Sequence, residues 1–434
     1  MPRMLLALFA ALSIGLASAQ TSIEFWYAFS DAPRSGWIED RIAEFNATLA
    51  DRGLDYQVVG ERKGSYRETL QAAVLAARQG QPPHLVQLFE VGSQLAVDSG
   101  IFEPIGNVGG LDASVYIEPV INYYTIDGAV NSLPFNSSSP ILYANVQLME
   151  QAGLDPDALP ETFGEVMAAC EAIRASSVTA ACITFPLHSW LFEQWVAEQG
   201  ALLVNNGNGR DARATEVLLD SEAALRVGQF MADLAVNRDY AYTGTLEDWG
   251  GSEAIFGNQE AVFFITSTAD AGNITRAAAD VGFDVRTGLL PIPDGVERNG
   301  VVIGGASVWL TKGNPQEELE IARDFVLYMT NPENMVSWHK LTGYYPVVDA
   351  SVELLEQEGW FDAEPNFAVA FEQLLETIPN QATAGALLGS FLETRTIIGE
   401  ALQRIYSSGA DVEETMQQAK AEADARLAEY NANF

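Results

Sequence analysis

The chain has 434 residues, 48% hydrophobic and 10% aromatic, with 59 acidic against 23 basic side chains. That length is too great for one ordinary core, so two lobes are expected, and the apolar content excludes a disordered chain. A formal net charge of −36 excludes nucleic acid and anionic lipid as partners, since both would be repelled.

The first residues read as a secretion signal. Met1-Pro2-Arg3 supplies one positive charge, residues 4–17 are almost wholly apolar, and Ala17-Ser18-Ala19 has the small-residue pattern of a cleavage site. The apolar run is shorter than the roughly 20 residues that a spanning helix needs. No cysteine lies nearby to take a lipid. The mature protein is therefore expected to begin near Gln20, in a periplasm. The two cysteines, Cys170 and Cys182, are free thiols or a local disulfide; an oxidising compartment favours the disulfide, in a structural role.

In chain order, Ser22–Tyr27 is strand-like, a helix covers roughly Trp37 to Leu49, and Asp55–Gly60 reads as a second strand. A helix over Tyr66 to Gln79 and a short apolar strand, Leu85–Phe89, complete a β-α-β-α-β rhythm. Such a rhythm predicts a mostly parallel sheet flanked by helices, with ligands bound beyond the carboxyl ends of the strands. Lys63-Gly64-Ser65-Tyr66 and Glu90 fall there. The segment Pro134 to Pro140 is a polar interruption between two apolar strands, as a passage between lobes would be. Val301 to Trp309 is a strand broken by a glycine pair, a second passage, and Asn331-Pro332 marks a third. Thr162-Phe163-Gly164-Glu165 is a capping box opening a helix to about Arg174. Asp220-Ser221, Asn314-Pro315 and Asp411 open further helices. Runs such as Glu317-Glu318-Leu319-Glu320 read as solvated helix faces.

Catalytic patterns are absent from this sequence. His84, His188 and His339 lack metal-ligand spacing, and neither a phosphate loop nor a nucleophile elbow occurs. No metal, cofactor or catalytic residue is expected, and a metal-free hydrolase of phosphodiesters is the remote alternative. What remains is a set of polar and aromatic residues at the passages, of the kind that lines pockets between lobes.

Several motifs in one order resemble the sn-glycerol-3-phosphate-binding proteins of ABC importers, within the maltose-binding-like solute-binding group. They are Lys63 to Tyr66, Phe89-Glu90-Val91-Gly92-Ser93, Pro134 to Pro140, Gly304 to Trp309, and Trp338 to Pro346. The resemblance runs from about residue 22 to the last helix. It implies a two-lobed α/β periplasmic binding protein fold, each lobe a mostly parallel sheet flanked by helices, with three hinge crossings. The implied lobes are residues 20–134 with 306–330, and 136–304 with 332–434, after a signal peptide over residues 1–19.

Position by position, the resemblance implies ligand contacts at Tyr66, Glu90, Ser138, Ser267, Gly305, Tyr344 and Arg395, with Trp190 as a floor. Glu90 would accept hydrogen bonds from glycerol hydroxyls, and the Arg395 fork would match a phosphate. The expected partners are glycerol 3-phosphate, or a related glycerophosphodiester, and the transmembrane subunits of an ABC permease; the protein itself is expected to be a monomer. A neutral sugar or oligosaccharide in the same fold is the alternative.

Overall fold

The computed structural model describes residues 20–434, so the signal-peptide reading of residues 1–19 lies outside the described residues. The first strand, β1 (Thr21–Tyr27), alternates its side chains between two cores. Ile23, Phe25 and Tyr27 enter one, while Trp26 enters the other, as the two-residue period of a strand requires. Helix α1 (Ala32–Asp51) starts five residues before the expected Trp37. Asp31 caps it by accepting a hydrogen bond from the Arg34 N–H at 3.0 Å, and Pro33 sits in the first turn, where proline loses no helical bond. Strand β2 (Tyr56–Arg62) and helix α2 (Tyr66–Arg78) follow. Ser65 and Glu68 form the reciprocal capping box of α2. Strand β3 (Leu85–Phe89) then leads through Glu90 into helix α3 (Ser93–Ser99).

Strand β4 (Phe102–Glu103) and the hairpin β5 (Thr125–Ile126) and β6 (Ala129–Val130) precede two strands that carry the chain between sheets. These are β7 (Ser132–Ser138) and β8 (Pro140–Asn145), with only Ser139 between them. Strands β9 (Ala181–Thr184), β10 (Ala261–Ser267), β11 (Val285–Gly288) and β12 (Gly304–Thr311) complete the set. The first sheet runs β2-β1-β3-β12-β4 with β7 beside β12; the second runs β11-β8-β10-β9. The architecture is the expected two-lobed α/β binding fold. Its sheets, however, are mixed rather than mostly parallel. The β2-β1-β3 and β10-β9 pairs are parallel, but β7, β8 and β12 enter from passages between sheets and run against their neighbours.

Residues 134–140 were expected to interrupt two strands, yet all but Ser139 are strand themselves. Every residue of β7 is buried, and its partner is β12, from Ser138 opposite Gly304 to Ser132 opposite Trp309. Pro134, which has no N–H to give, sits where the register shifts, the position sheets allow it. Conversely, Val301 and Ile303 are buried outside any strand. The Gln194 side chain replaces a strand neighbour there, accepting from the Val302 N–H at 2.9 Å and donating to its carbonyl at 2.8 Å.

Helices flank both sheets. Residues of Gln316–Met329 join the first core, as do Met335 and Trp338 of the next helix, Pro332–Thr342. Helices Phe163–Ser176, Ser189–Glu198, Glu222–Val236, Phe391–Ser408 and Val412–Asn431 pack into the second. Phe367 and the half-buried Trp360 cover the other face of the second sheet. Cys170 and Cys182 form a disulfide joining the helix Phe163–Ser176 to β9, both within the second core. Replacing both by alanine should cost about 2–4 kcal/mol in urea unfolding. Ligand affinity should stay unchanged, and an altered affinity would contradict the purely structural role.

Candidate functional site

The passages at Ser139 and Gly304 put the carboxyl end of β3, the start of α2 and the helices of the second core around one cleft. Gly305 is required here: its φ is +98°, and a Cβ would lie 1.9 Å from the Asn136 carbonyl oxygen. A side chain on its neighbour Gly304 would meet the Trp190 indole at 2.6 Å, so the bare backbone lets that ring lie against β12.

One half of the cleft is ionic. Glu90, 5% exposed, follows β3 directly and accepts a hydrogen bond from Arg395 Nη2 at 2.7 Å. Arg395, 7% exposed, belongs to the helix Phe391–Ser408 of the second core. Its Nε and Nη2 also donate to Glu193, at 2.7 and 2.8 Å. One guanidinium thus holds the buried Glu90 carboxylate and the mostly buried one of Glu193, leaving one net negative charge. Burial raises the Glu90 carboxyl above its ordinary range, against the pull of Arg395. Arg395 is held fully cationic by Glu193 and Glu90, which outweigh its burial. The Trp190 indole, with a buried N–H lacking a partner, lines this half together with Glu90 and Glu193. Trp249 meets Trp190 at 5.9 Å between ring centres.

The other half is phenolic. Tyr66, the first residue of α2, stacks on Phe89 at 5.5 Å, and its hydroxyl accepts from the Asn136 amide at 2.8 Å. Asn136 is in turn held by Gln87, which donates to it at 2.7 Å while accepting from the Ala28 N–H. The Tyr344 ring stacks on Trp338 at 5.5 Å, and its hydroxyl interacts with those of Tyr66 and the Asn136 amide. Burial raises both phenols, so both stay protonated donors at neutral pH. Ser138 ends β7 opposite Gly304, with Ser137 opposite Gly305. Ser267 ends β10 opposite Pro140; its hydroxyl accepts from the Ala269 N–H at 3.1 Å, and the next residue, Thr268, donates its N–H to Ser139 at 2.8 Å.

The eight residues singled out in the sequence lie where the two sheets meet. Glu90, Arg395 and Trp190 make one end, and Tyr66, Tyr344, Gly305, Ser138 and Ser267 the other. The company of Arg395 differs from expectation: its fork is filled by two carboxylates. Glu193 was missed, although it stands three residues from Trp190 on one helix and so shares its face. Asn136 lay inside a motif already noted. Arg34 was hidden by the late helix start; it reaches across the cleft to Asp270 at 2.9 Å.

Two cores joined by strand passages, with polar and aromatic groups from both facing one cleft, define a capture protein of the two-lobed binding class. The chain belongs to the bacterial extracellular solute-binding protein family, whose profile matches residues 40–369. It is 30% identical over 406 residues to the sn-glycerol-3-phosphate-binding periplasmic protein UgpB of Yersinia pestis bv. Antiqua (strain Antiqua), covering 90% of this chain and 89% of that one. The protein of that name from Rhizobium meliloti (strain 1021) is 29% identical over 95% of each chain. Among solved structures, UgpB from Mycobacterium tuberculosis in complex with glycerophosphocholine superposes with a TM-score of 0.77. Its identity is 21%, over 94% of this chain and 99% of that one. The maltose-maltodextrin binding protein of Alicyclobacillus acidocaldarius gives 0.71 at 15% identity, over 93% and 100%. At such identities these likenesses are of fold. No helix among the described residues is long and apolar enough to cross a membrane.

Two outcomes test this geometry. Arg395→Ala leaves Glu90 and Glu193 buried together without a cation, so stability should fall by about 3–5 kcal/mol. A loss below about 1 kcal/mol in urea unfolding would show that the carboxylates escape to solvent. The second concerns His339, buried and held by its Nδ1 against the Tyr344 carbonyl at 2.8 Å. Burial lowers it to about 4. An unfolded histidine protonates near pH 6.5, so the stability from keeping it neutral is full above that pH and drains away toward about pH 4. The amount is on the order of 3 kcal/mol. The stability gap between wild type and His339→Asn should accordingly narrow from pH 7 to pH 4, and a constant gap would refute it.

Proposed function

We propose that this protein captures a phosphoglycerol compound, sn-glycerol 3-phosphate or a related glycerophosphodiester, in a periplasm and delivers it to an ABC permease. The observation that carries the reading is the meeting of Glu90 and Arg395, at 2.7 Å, from opposite sides of the cleft beside the Tyr66–Tyr344 pair. Curated relatives whose name states sn-glycerol 3-phosphate binding match nine-tenths of the chain, which supports that ligand class. The lobes we assign are residues 20–134 with 306–330 and 136–304 with 332–434, the helices after residue 332 touching both cores.

In this reading the two halves of the cleft divide the ligand. Glu90, Arg395 and Glu193 together offer acceptors and donors for vicinal hydroxyls while presenting a net negative charge, which suits the glycerol and repels phosphate. The hydroxyls of Tyr66, Tyr344, Ser138 and Ser267, with the bare backbone at Gly305, supply the donors that phosphate oxygens need. Trp190 walls the glycerol end. Because the contacts come from both sides, they are complete only when the cleft is shut, and that difference drives hinge closure. The protein works as a monomer and breaks no bond.

Calorimetric titration with sn-glycerol 3-phosphate, glycerophosphocholine and maltose tests this. Binding of a phosphoglycerol without maltose is expected, and Glu90→Gln should weaken it without changing the fold. Maltose binding alone would favour a neutral sugar, and release of phosphate or alcohol during the titration would make the protein a hydrolase.

A further inference from the structure

Arg34 lies in the first turn of α1 and crosses from the first sheet's side of the cleft to the end of β10. One nitrogen, Nη2, donates to Asp270 Oδ1 at 2.9 Å and to the Ala269 carbonyl at 3.1 Å. The guanidinium carbon sits 5.4 Å from the ring centre of Tyr344 and 5.7 Å from that of Phe29. Nε and Nη1 make no hydrogen bond to another described residue. The carboxylate beside Nη1 is the half-exposed Asp31, at 3.8 Å. Glu253 also faces this group, but its carboxylate is engaged by the Asn273 amide.

Arg34 and Arg395 differ in how many of their donors are already spent. Arg395 has two carboxylates within 2.8 Å and sits in a group of net charge −1. Arg34 has one carboxylate at hydrogen-bond distance and a second, Asp31, at 3.8 Å, two nitrogens whose N–H groups are unspent, and two protonated phenols beside it. An anion entering the cleft is offered the most unspent donors at Arg34. We infer that Arg34 supplies the cation for the anionic part of the ligand, with Nε and Nη1 joining the Tyr66 and Tyr344 hydroxyls. Asp270 holds that cation in place and competes with the ligand for it. This rests on the phosphoglycerol reading and assigns the ligand's charge to a residue outside the set that the resemblance implied.

The test is titration of wild type, Arg34→Gln, Arg34→Lys and Asp270→Asn with sn-glycerol 3-phosphate. Arg34→Gln should weaken binding by about tenfold or more. Arg34→Lys, keeping the charge, should recover most of the loss, and Asp270→Asn should bind as tightly as wild type or more so. A smaller loss in Arg34→Gln overturns the inference. So does a loss in Asp270→Asn equal to that in Arg34→Gln, because both then act as a tie between lobes. If wild type binds neither glycerol 3-phosphate nor glycerophosphocholine, the functional reading fails with it; if wild type binds and Arg34→Gln binds equally, this inference alone fails.

Discussion

A single guanidinium shared by two carboxylates, one buried and one mostly so, is the interaction around which the cleft is organised. Taking three charges out of water is costly, and the cost is offset only where every charged atom finds a partner. Arg395 does this with its planar fork, giving one edge to Glu193 on a neighbouring helix and the other direction to Glu90 beyond β3. The Glu193 half is intrinsic to the second core, since both residues stand on helices packed there. The Glu90 half exists only when the two sheets approach. Its formation is thus a contribution to closure that the ligand can use, by placing hydroxyls among groups already oriented.

The rest of the site is set by how the chain passes between sheets. Ser139 alone separates β7 from β8, its N–H and carbonyl both facing Thr268, and Tyr345 bonds back to Ser137 and to the Ser139 hydroxyl. Gly343, at φ +103°, lets the backbone pass the Thr268 carbonyl, where a Cβ would stand at 2.2 Å. These passages are dense and tied by backbone hydrogen bonds, so ligand groups attached beside them are fixed relative to both sheets. That explains why serines and glycines, ordinary turn residues elsewhere, concentrate here.

Much of the fold was legible because its signals are local. The capping boxes at Ser65 and Thr162 and the caps at Ser221, Asn331 and Asp411 all begin helices where the sequence placed them. Residues 134–140 were not legible. Their composition is that of a turn, and the strand that makes them a strand, β12, lies more than 160 residues away. The mixed character of the sheets escaped for the same reason, since pairing direction is decided by distant partners. At the site, resemblance brought eight residues together, but Glu193 is one carboxylate among 59 acidic residues, marked only by its spacing from Trp190. Arg34 was lost because Ala32-Pro33 looks like a loop until the Asp31 cap is recognised.

The acidity of the chain bears on closure as well as on partners. Two acidic lobes repel each other over distances of about 8–10 Å at moderate salt, and that repulsion favours the open cleft. The ties that oppose it are of much shorter range. Glu90 meets Arg395, and Asp98 of α3 takes both Arg213 and the Tyr430 hydroxyl, at 2.8–2.9 Å. Each joins a residue of the first sheet's side to one of the second's. Burial works against the Asp98 charge, but hydrogen bonds from Arg213, Tyr430 and Gln94 prevail and lower its carboxyl. Long-range repulsion and contact-range attraction have different distance dependence, so intermediate separations gain little from either. The lobes are consequently driven toward two positions, apart or shut, which is the behaviour that a capture protein needs.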